Sequence, residues 1–410
     1  VKMTQLCNEK STDQFSRWWA AYFLLLPFGQ PLTRGLVIGD LPAIALMVIS
    51  FAAVFRGKLP EIGKTEAWFI FLTGCSLLGI ELTRAPDFYL KELTSMVFLF
   101  VCFKITADFL NSEERLAKAI ELTGKAAATL LLINSVVLLS HKTMALEFTS
   151  RFFSAGEKLS WPFEFSGQLG ISLTVLFPLT LCARRLAGMH RTIIYSMMLL
   201  NTGAIASRSV FWLSMFQVIY IEFFVYAENS TKRNIFKLLL LACAAGLLVM
   251  FFGESYSFQR SLGQLESSPL IFDEPRVATL REALRTLPTW LQGYGLGCFK
   301  AFHELEIHNT PLSLLVETGF AGFLAATAFI ASIFIAFWRS RLRHSLLWHG
   351  LLLSLIAVMA NGMFRNLVSS RVSWFILALC LSHRHFQQQT SRAVLADTPT
   401  TEPQPQQCRQ

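Results

Sequence analysis

Charged residues are scarce in this chain: they make up 15% of its 410 residues, whereas hydrophobic residues make up 53%. This balance excludes an ordinary soluble globular protein and predicts an all-α, polytopic integral membrane protein. The formal net charge is nevertheless +9. In a membrane protein such an excess is expected from basic residues that hold loops on the cytoplasmic side, so it does not indicate a nucleic-acid partner.

Motifs for metals and nucleotides are missing as well. The eight cysteines fall mostly in apolar runs and have no CxxC or Cys/His spacing typical of zinc, so they are interpreted as small buried residues. No Walker motif, serine triad or outer-loop DxD pair is present. The glycines of GYGLG, residues 293–297, lack the spacing of a dinucleotide fingerprint and predict a flexible turn. We therefore expect no metal and no cofactor, and a transferase would use a donor other than a nucleotide sugar.

Long apolar runs dominate what is present. A bilayer is crossed by about 20 apolar residues in a helix, and runs of that kind predict about twelve spans in one transmembrane domain, residues 1–385. The tail, 386–410, is rich in Gln, Thr and Pro and is predicted to be disordered in the cytoplasm. The predicted spans lie at 18–33, 38–55, 66–83, 90–108, 119–140, 167–183, 191–206, 209–227, 235–252, 311–337, 345–364 and 368–383.

Lysine and arginine are distributed unevenly between alternate connections. With the N-terminus in the cytoplasm, each predicted cytoplasmic segment holds at least three basic residues, whereas the short outer loops hold one or two, among them Arg365. The positive-inside rule therefore predicts that both termini are cytoplasmic.

The outer segment 253–310 is too long for a simple turn. Its arginines do not follow the positive-inside rule, which does not govern long loops. Positive charge on the outer side therefore suggests a functional role. Its stretch ATLREALRTLPTWL predicts an amphipathic helix over the outer mouth of the bundle, because leucines recur at helical spacing: Leu280, Leu284, Leu287 and Leu291.

Two outer positions are the first candidates for chemistry. His308, followed by Asn309, precedes the tenth apolar run, where a lipid-borne substrate would meet water. Histidine can take up a proton near neutral pH; the alternative is that the pair only caps the helix. Arg208 lies in a tight outer turn near membrane depth, where an arginine is costly. Its planar fork of donors suits phosphate, and the alternative is that it reaches out to lipid headgroups.

Three further residues are candidates. Arg276 begins the amphipathic helix, and Arg281 follows five residues later, so the two do not share a helix face. For Arg281 we favour a solvated or headgroup-facing position, with substrate binding left open. Glu317 is a carboxylate inside the tenth span, a position that is often functional, and we rank it as a supporting substrate-binding residue.

Together these segments make the chain similar to the O-antigen ligase family of bacterial inner-membrane proteins, which also includes O-antigen and exopolysaccharide polymerases. SRSVFW, 207–212, resembles the family's Ser-Arg-small-x-Trp segment. Arg276, the following helix and Gly-Tyr-Gly at 293–295 resemble its arginine, helix and Gly-x-Gly run. HNTPL at 308–312 and Glu-Thr-Gly at 317–319 resemble its His-Asn-x-x-Leu and Glu-x-Gly signature. The resemblance covers roughly residues 160 to 380, and it departs from the family at Leu280 and at Glu274-Pro275.

The resemblance implies a metal-independent, inverting glycosyltransferase with its active site at the periplasmic face of the inner membrane. It would move a glycan from undecaprenyl diphosphate to the lipid A–core oligosaccharide. Arg208 and Arg276 would bind the diphosphate, and His308 would be the general base, with Arg281, Asn309 and Glu317 as further substrate-binding residues. Two alternatives stay open: a polymerase using the same donor, and a flippase or transporter of lipid-linked glycans. The sequence does not predict the donor glycan, the acceptor sugar or the oligomeric state.

Overall fold

The computed structural model describes most of the apolar part of the chain. The predicted ninth span, 235–252, and the predicted tail, 386–410, lie outside the described residues. These are 17–29, 31–33, 36–55, 62–78, 86–144, 152–154, 158–163, 165–182, 188–205, 207–226, 274–285, 293–303, 307–340 and 345–382.

The described residues are mostly helical, and each predicted span that falls within them overlaps a helix. Helix α8 continues into a π-helical turn, Ile221–Val225. The helices are α1 (17–25), α2 (Asp40–Phe55), α3 (Lys64–Leu78), α4 (Pro86–Phe109), α5 (Glu113–Met144), α6 (Ser166–Cys182), α7 (Gly188–Ala204), α8 (Arg208–Tyr220), α9 (Glu274–Arg285), α10 (Cys298–His303), α11 (Thr310–Trp338), α12 (Leu346–Gly362) and α13 (Arg371–Ser382).

Three of the described helices are long and apolar enough to cross a membrane: α5, α8 with its π-helical turn, and α11. Helices α2, α6, α12 and α13 are apolar but shorter. Large apolar side chains also point outward, such as Val48 at 63% exposure and Phe224 at 68%. Outward apolar surface of this extent is typical of a lipid-facing protein. The all-α membrane class is thus supported in its general form.

Two short β-hairpins were not predicted. Strands β1 (Pro31–Thr33) and β2 (Leu36–Val37) form one antiparallel pair, and β3 (Phe153–Ser154) and β4 (Lys158–Leu159) form the other. Both hairpins lie in connections between helices, and their strands are two or three residues long. Strands this short have no periodicity that sequence analysis could recognise.

Cross-helix contacts show that neighbouring helices run in opposite directions. Ser332 of α11 donates to Thr65 at the start of α3 (2.9 Å), whereas a Cβ at Gly322 of α11 would lie 3.5 Å from Cys75 near the end of α3. In the same way Arg365, which follows the end of α12, lies against Gly167 in the first turn of α6, and Asn361 in the last turn of α12 donates to Thr174 in the middle of α6 (3.0 Å). Helices α2, α4, α6, α8, α11 and α13 therefore begin at one end of the bundle, where α3, α5, α7 and α12 finish. We call this the site end.

Aromatic packing and one ion pair hold helices α2, α3 and α4 and the last helix, α13, together. Phe69 of α3 stacks on Phe100 of α4 with ring centroids 3.7 Å apart, and Trp374 of α13 meets Phe69 edge-on at 5.7 Å. Such pairs stabilise by about 0.5–1.5 kcal/mol each beyond their buried area. At the site end Arg371 of α13 forms a two-pronged ion pair with buried Asp40 of α2, at 2.6 and 2.7 Å. This contact fixes the start of α13 against the start of α2.

Candidate functional site

The glycine-rich segment 293–297 pairs with a break in helix α11. Gly319 has φ 71° and ψ 179°, so it interrupts the helix and releases carbonyl groups one turn earlier. Tyr294 N–H donates to the Val316 carbonyl (3.0 Å), and Gly295 N–H donates to the Glu317 carbonyl (2.8 Å). The Gly-x-Gly and Glu-x-Gly segments, which are distant in sequence, are therefore hydrogen-bonded to each other. The turn predicted at 293–297 is present, since Cys298 N–H donates to the Gly295 carbonyl (3.2 Å), and its pairing with α11 was not predicted.

Glycine is required at both partners of this junction. Gly293 has φ 79°, in the left-handed region that other residues rarely adopt. A Cβ at this position would lie 2.5 Å from the Gly319 nitrogen and 2.6 Å from the Glu317 carbonyl oxygen. Backbones can approach this closely only without a side chain between them, so the two motifs fit each other as a unit.

Glu317 is buried just before the break, at 8% exposure. Its Oε2 accepts a hydrogen bond from Ser313 Oγ at 3.2 Å, and Ser313 Oγ in turn accepts from Asn366 Nδ2 at 3.1 Å. The carboxylate is thus connected through α11 to the segment between α12 and α13. This position fits a supporting residue that orders its neighbours.

Asn309 is the N-cap of α11. Its Oδ1 accepts from the Leu312 amide (2.8 Å), and its Nδ2 donates to the Met363 carbonyl (2.9 Å). The capping alternative therefore holds for Asn309, whose amide is engaged on both sides; a role in substrate binding stays a prediction. His308, the preceding residue, is exposed at the site end.

Arg208 is the first residue of α8, after the N-cap Ser207, and its side chain is half-buried. The start of α8 packs on the first turns of α6, because a Cβ at Gly170 would meet Val210 at 2.8 Å and Ile205 at 3.4 Å. Arg208 consequently lies at the same end of the bundle as His308.

Arg365 contacts the starts of both α6 and α11, and sequence analysis missed it as a candidate. Its guanidinium lies directly against Gly167 in the first turn of α6, where any Cβ would displace it. Its carbonyl accepts from Thr310 Oγ1, the first residue of α11, at 2.7 Å. The sequence shows Arg365 only as an outer-loop basic residue, and the contacts that place it beside α6 and α11 come from distant segments.

Helix α9 docks at this end of the bundle through its small residues. Ala283 is fully buried in a cluster with Phe299, Ile307 and Val316. Its amphipathic character is as predicted, but the leucines are not the buried face: Leu280 is 40% exposed and Leu284 51%. The predicted Leu287 and Leu291 lie outside the described residues.

Helix α9 carries two of the predicted site residues, Arg276 and Arg281. Arg281 is exposed, as expected for a solvated or headgroup-facing position. Arg276 lies in the first turn of α9, and its side chain lies outside the described atoms. Its role therefore stays a prediction.

A cavity of about 430 Å³ opens beside Arg365 at the site end. Its polar lining comes from the first turns of α6, with Gln168 and Ser172, and from the segment before α13, with Asn366, Ser369 and Ser370. Phe163 and the β1–β2 hairpin supply apolar lining. Its size is in the range of small-molecule sites, which combine apolar walls with a few polar groups.

Two other buried carboxylates, Asp40 and Glu222, have structural partners. Asp40 pairs with Arg371 as described above. Glu222, in the π-helical turn at the opposite end, accepts from Arg191 Nε and from Tyr195 OH, both at 2.7 Å. Buried ionised groups are stable only when paired in this way, so these contacts account for both residues.

No protein-family model matches this chain, and the search of curated proteins found no match. The function must therefore be argued from the arrangement of the site end.

Proposed function

We propose that this protein is an O-antigen ligase-type glycosyltransferase of the bacterial inner membrane. It would transfer a glycan from undecaprenyl diphosphate to the lipid A–core oligosaccharide. The supporting observation is that an exposed imidazole, His308, and the guanidinium groups of Arg208 and Arg365 belong to helix starts and connections at one end of the bundle. A site for a lipid-linked diphosphate needs such a combination of proton acceptor and fixed cations near the membrane surface.

In the proposed reaction, His308 removes the proton from the acceptor hydroxyl. The acceptor oxygen then forms a bond to the anomeric carbon as the bond from that carbon to the diphosphate oxygen breaks, so the configuration inverts. The electron pair leaves with undecaprenyl diphosphate, and Arg208 and Arg276 stabilise the charge that it gains. Fixed cations in a water-poor site act strongly because they need no reorganisation.

The finer topology belongs to this proposal. We infer twelve spans, the ninth at 235–252, with both termini cytoplasmic and the segment 253–310 periplasmic. The basic residues predicted to be cytoplasmic support this orientation, since Lys64, Lys104, Arg115 and Arg191 belong to helices at the end opposite the site end. The site end then faces the periplasm, where a lipid-linked donor and acceptor would meet.

The test is transfer in vitro by the full chain in nanodiscs, with a purified undecaprenyl-diphosphate glycan as donor and lipid A–core as acceptor. We expect product with inverted anomeric configuration, at a rate unchanged by a chelator of divalent metals. Binding and translocation of the donor without turnover would overturn the proposal in favour of a transporter. Elongation of the lipid-linked glycan without transfer to lipid A–core would identify a polymerase instead.

A further inference from the structure

We infer that the cavity beside Arg365 is a binding site for a neutral saccharide. Gln168, Ser172, Asn366, Ser369 and Ser370 contribute amides and hydroxyls to its wall. Such groups donate and accept hydrogen bonds without carrying charge, as a polyhydroxylated ligand requires. Asn366 and Ser370 are already hydrogen-bonded to Ser313 and Ser373. Gln168 and Ser369 are exposed on the wall, and an alkyl chain there would cover their polar groups at a cost in free energy.

The charge of the cavity argues against an anion. Arg371 is the charged residue of its described lining, and both its Nε and its Nη2 donate to buried Asp40 at 2.6 and 2.7 Å. Asp40 also accepts from the Val37 amide at 2.9 Å, which holds the carboxylate in place. Two of the three guanidinium nitrogens are thereby bound to a carboxylate that offsets the positive charge.

The wall also offers an apolar face. Phe163 lines the cavity, and its ring packs directly on Gly29, which has no side chain to separate them. A ring held in this position presents a flat apolar surface to the C–H face of a sugar, next to the polar groups of α6. Aromatic walls combined with a few hydrogen-bonding groups are typical of small-molecule sites.

The position of the cavity indicates which sugar it would hold. Asn366 is one residue from Arg365 and bonds to Ser313, which bonds to Glu317; Gln168 follows Gly167, against which Arg365 packs. The cavity thus lies next to Arg365 at the site end, and its described lining includes neither Arg208 nor Arg276, the cations proposed to bind the donor diphosphate. Resting on the proposed function, we assign it to the saccharide part of the lipid A–core acceptor.

The test is a binding titration by saturation-transfer difference NMR on the full chain in nanodiscs. The probe is core oligosaccharide freed of lipid A and dephosphorylated. Ser369→Trp, at an exposed position on the cavity wall, should weaken binding by about tenfold or more by filling the space. Gln168→Leu, also exposed, should weaken it by a smaller factor because it removes one hydrogen-bonding group. Glu114→Leu, exposed at the opposite end of the bundle, should leave binding unchanged.

Several results would overturn this assignment. One is absence of binding to the unmodified protein, and another is binding by both cavity variants that is as tight as binding by the unmodified protein. The others are displacement of the probe by inorganic pyrophosphate and displacement by a short-chain phospholipid. Failure of the proposed function gives a different pattern: no glycan transfer, with oligosaccharide binding that still depends on residues 168 and 369. Transfer that persists with an unchanged KM for the acceptor in Ser369→Trp would remove the cavity assignment and leave the transferase standing.

Discussion

The two ends of the bundle use charge differently. At the end opposite the site end, Lys104 bridges Glu66 and Asp108 at 3.0 and 2.8 Å, and Arg191 and Tyr195 enclose Glu222. These charges are satisfied within the helical packing and leave little for a ligand. At the site end, His308 is exposed and Arg208 is the half-buried first residue of α8. Buried ion pairs occur at both ends, since Arg371 pairs with Asp40 at the site end. The residues that we propose for catalysis, His308 and Arg208, lie at or just before helix starts of the site end.

The largest difference between the two ends is expected when one histidine is removed from each end and the transfer rates are compared. We expect His308→Ala to lower the transfer rate by about 10²–10⁴-fold, because the acceptor hydroxyl loses its general base. The measurement is initial rate at saturating donor and acceptor. His190→Ala, which removes an exposed histidine from the opposite end, should leave the rate unchanged. Equal rates for both variants would refute the role of His308.

The arginines allow a second test. Arg208→Ala should lower kcat by about 10²–10³-fold, since one fixed cation that stabilises the leaving diphosphate is lost. Arg208→Lys should recover part of that loss, because it keeps the charge but not the planar fork. The control is Arg115→Ala at the opposite end, where Arg115 donates to the Phe109 carbonyl at 3.2 Å. A loss of activity in the control as large as in Arg208→Ala would contradict the difference between the ends.

At the opposite end we expect an effect on stability and not on catalysis. Glu222→Gln leaves Arg191 buried without its counter-charge and should lower the free energy of unfolding by about 3–5 kcal/mol. Glu121→Gln breaks the exposed pair with Lys125 (2.7 Å) and should cost about 1 kcal/mol or less. Thermal unfolding in detergent measures both, and the transfer rate per folded molecule should be normal. A stable but inactive Glu222→Gln protein would show that this end also carries function.

A smaller effect is expected where the glycine segment meets α11. Gly293→Ala should destabilise the protein by about 1–3 kcal/mol, because its backbone is left-handed and its Cβ would strike Gly319. Gly74→Ala in α3 is the matched control, since a Cβ there has nothing within 4 Å, and it should be neutral or slightly stabilising. Equal melting temperatures for the two variants would show that the junction is not tightly packed.

Helix positions could be predicted from this sequence because apolar runs of membrane length mark them directly. Arg208 could be singled out because an arginine near membrane depth is costly, and His308 because an imidazole can take up a proton near neutral pH. The pairing of residues 293–295 with α11 could not be predicted, because it depends on a backbone break at Gly319 that a hydropathy profile does not show. Arg365 was missed for a similar reason: its environment is built by α6 and α11, far away in the sequence.

The buried face of α9 shows the same limit in a single element. Helical spacing of leucines predicted an amphipathic helix, and the helix is there. Which face turns inward was decided by fit, because Ala283 allows close approach to Phe299 and Val316 and the larger leucines do not. Periodicity thus identifies the faces of a helix, and the partner decides how each is used.

The break in α11 has a consequence for biogenesis. Hydrocarbon offers no donors, so the carbonyls of Val316 and Glu317 cannot remain bare at the membrane. Their donors, Tyr294 and Gly295, precede them in the chain. In the proposed topology these donors belong to a segment that crosses the membrane, so α11 would reach its final shape only after that segment has been translocated and has folded back onto it.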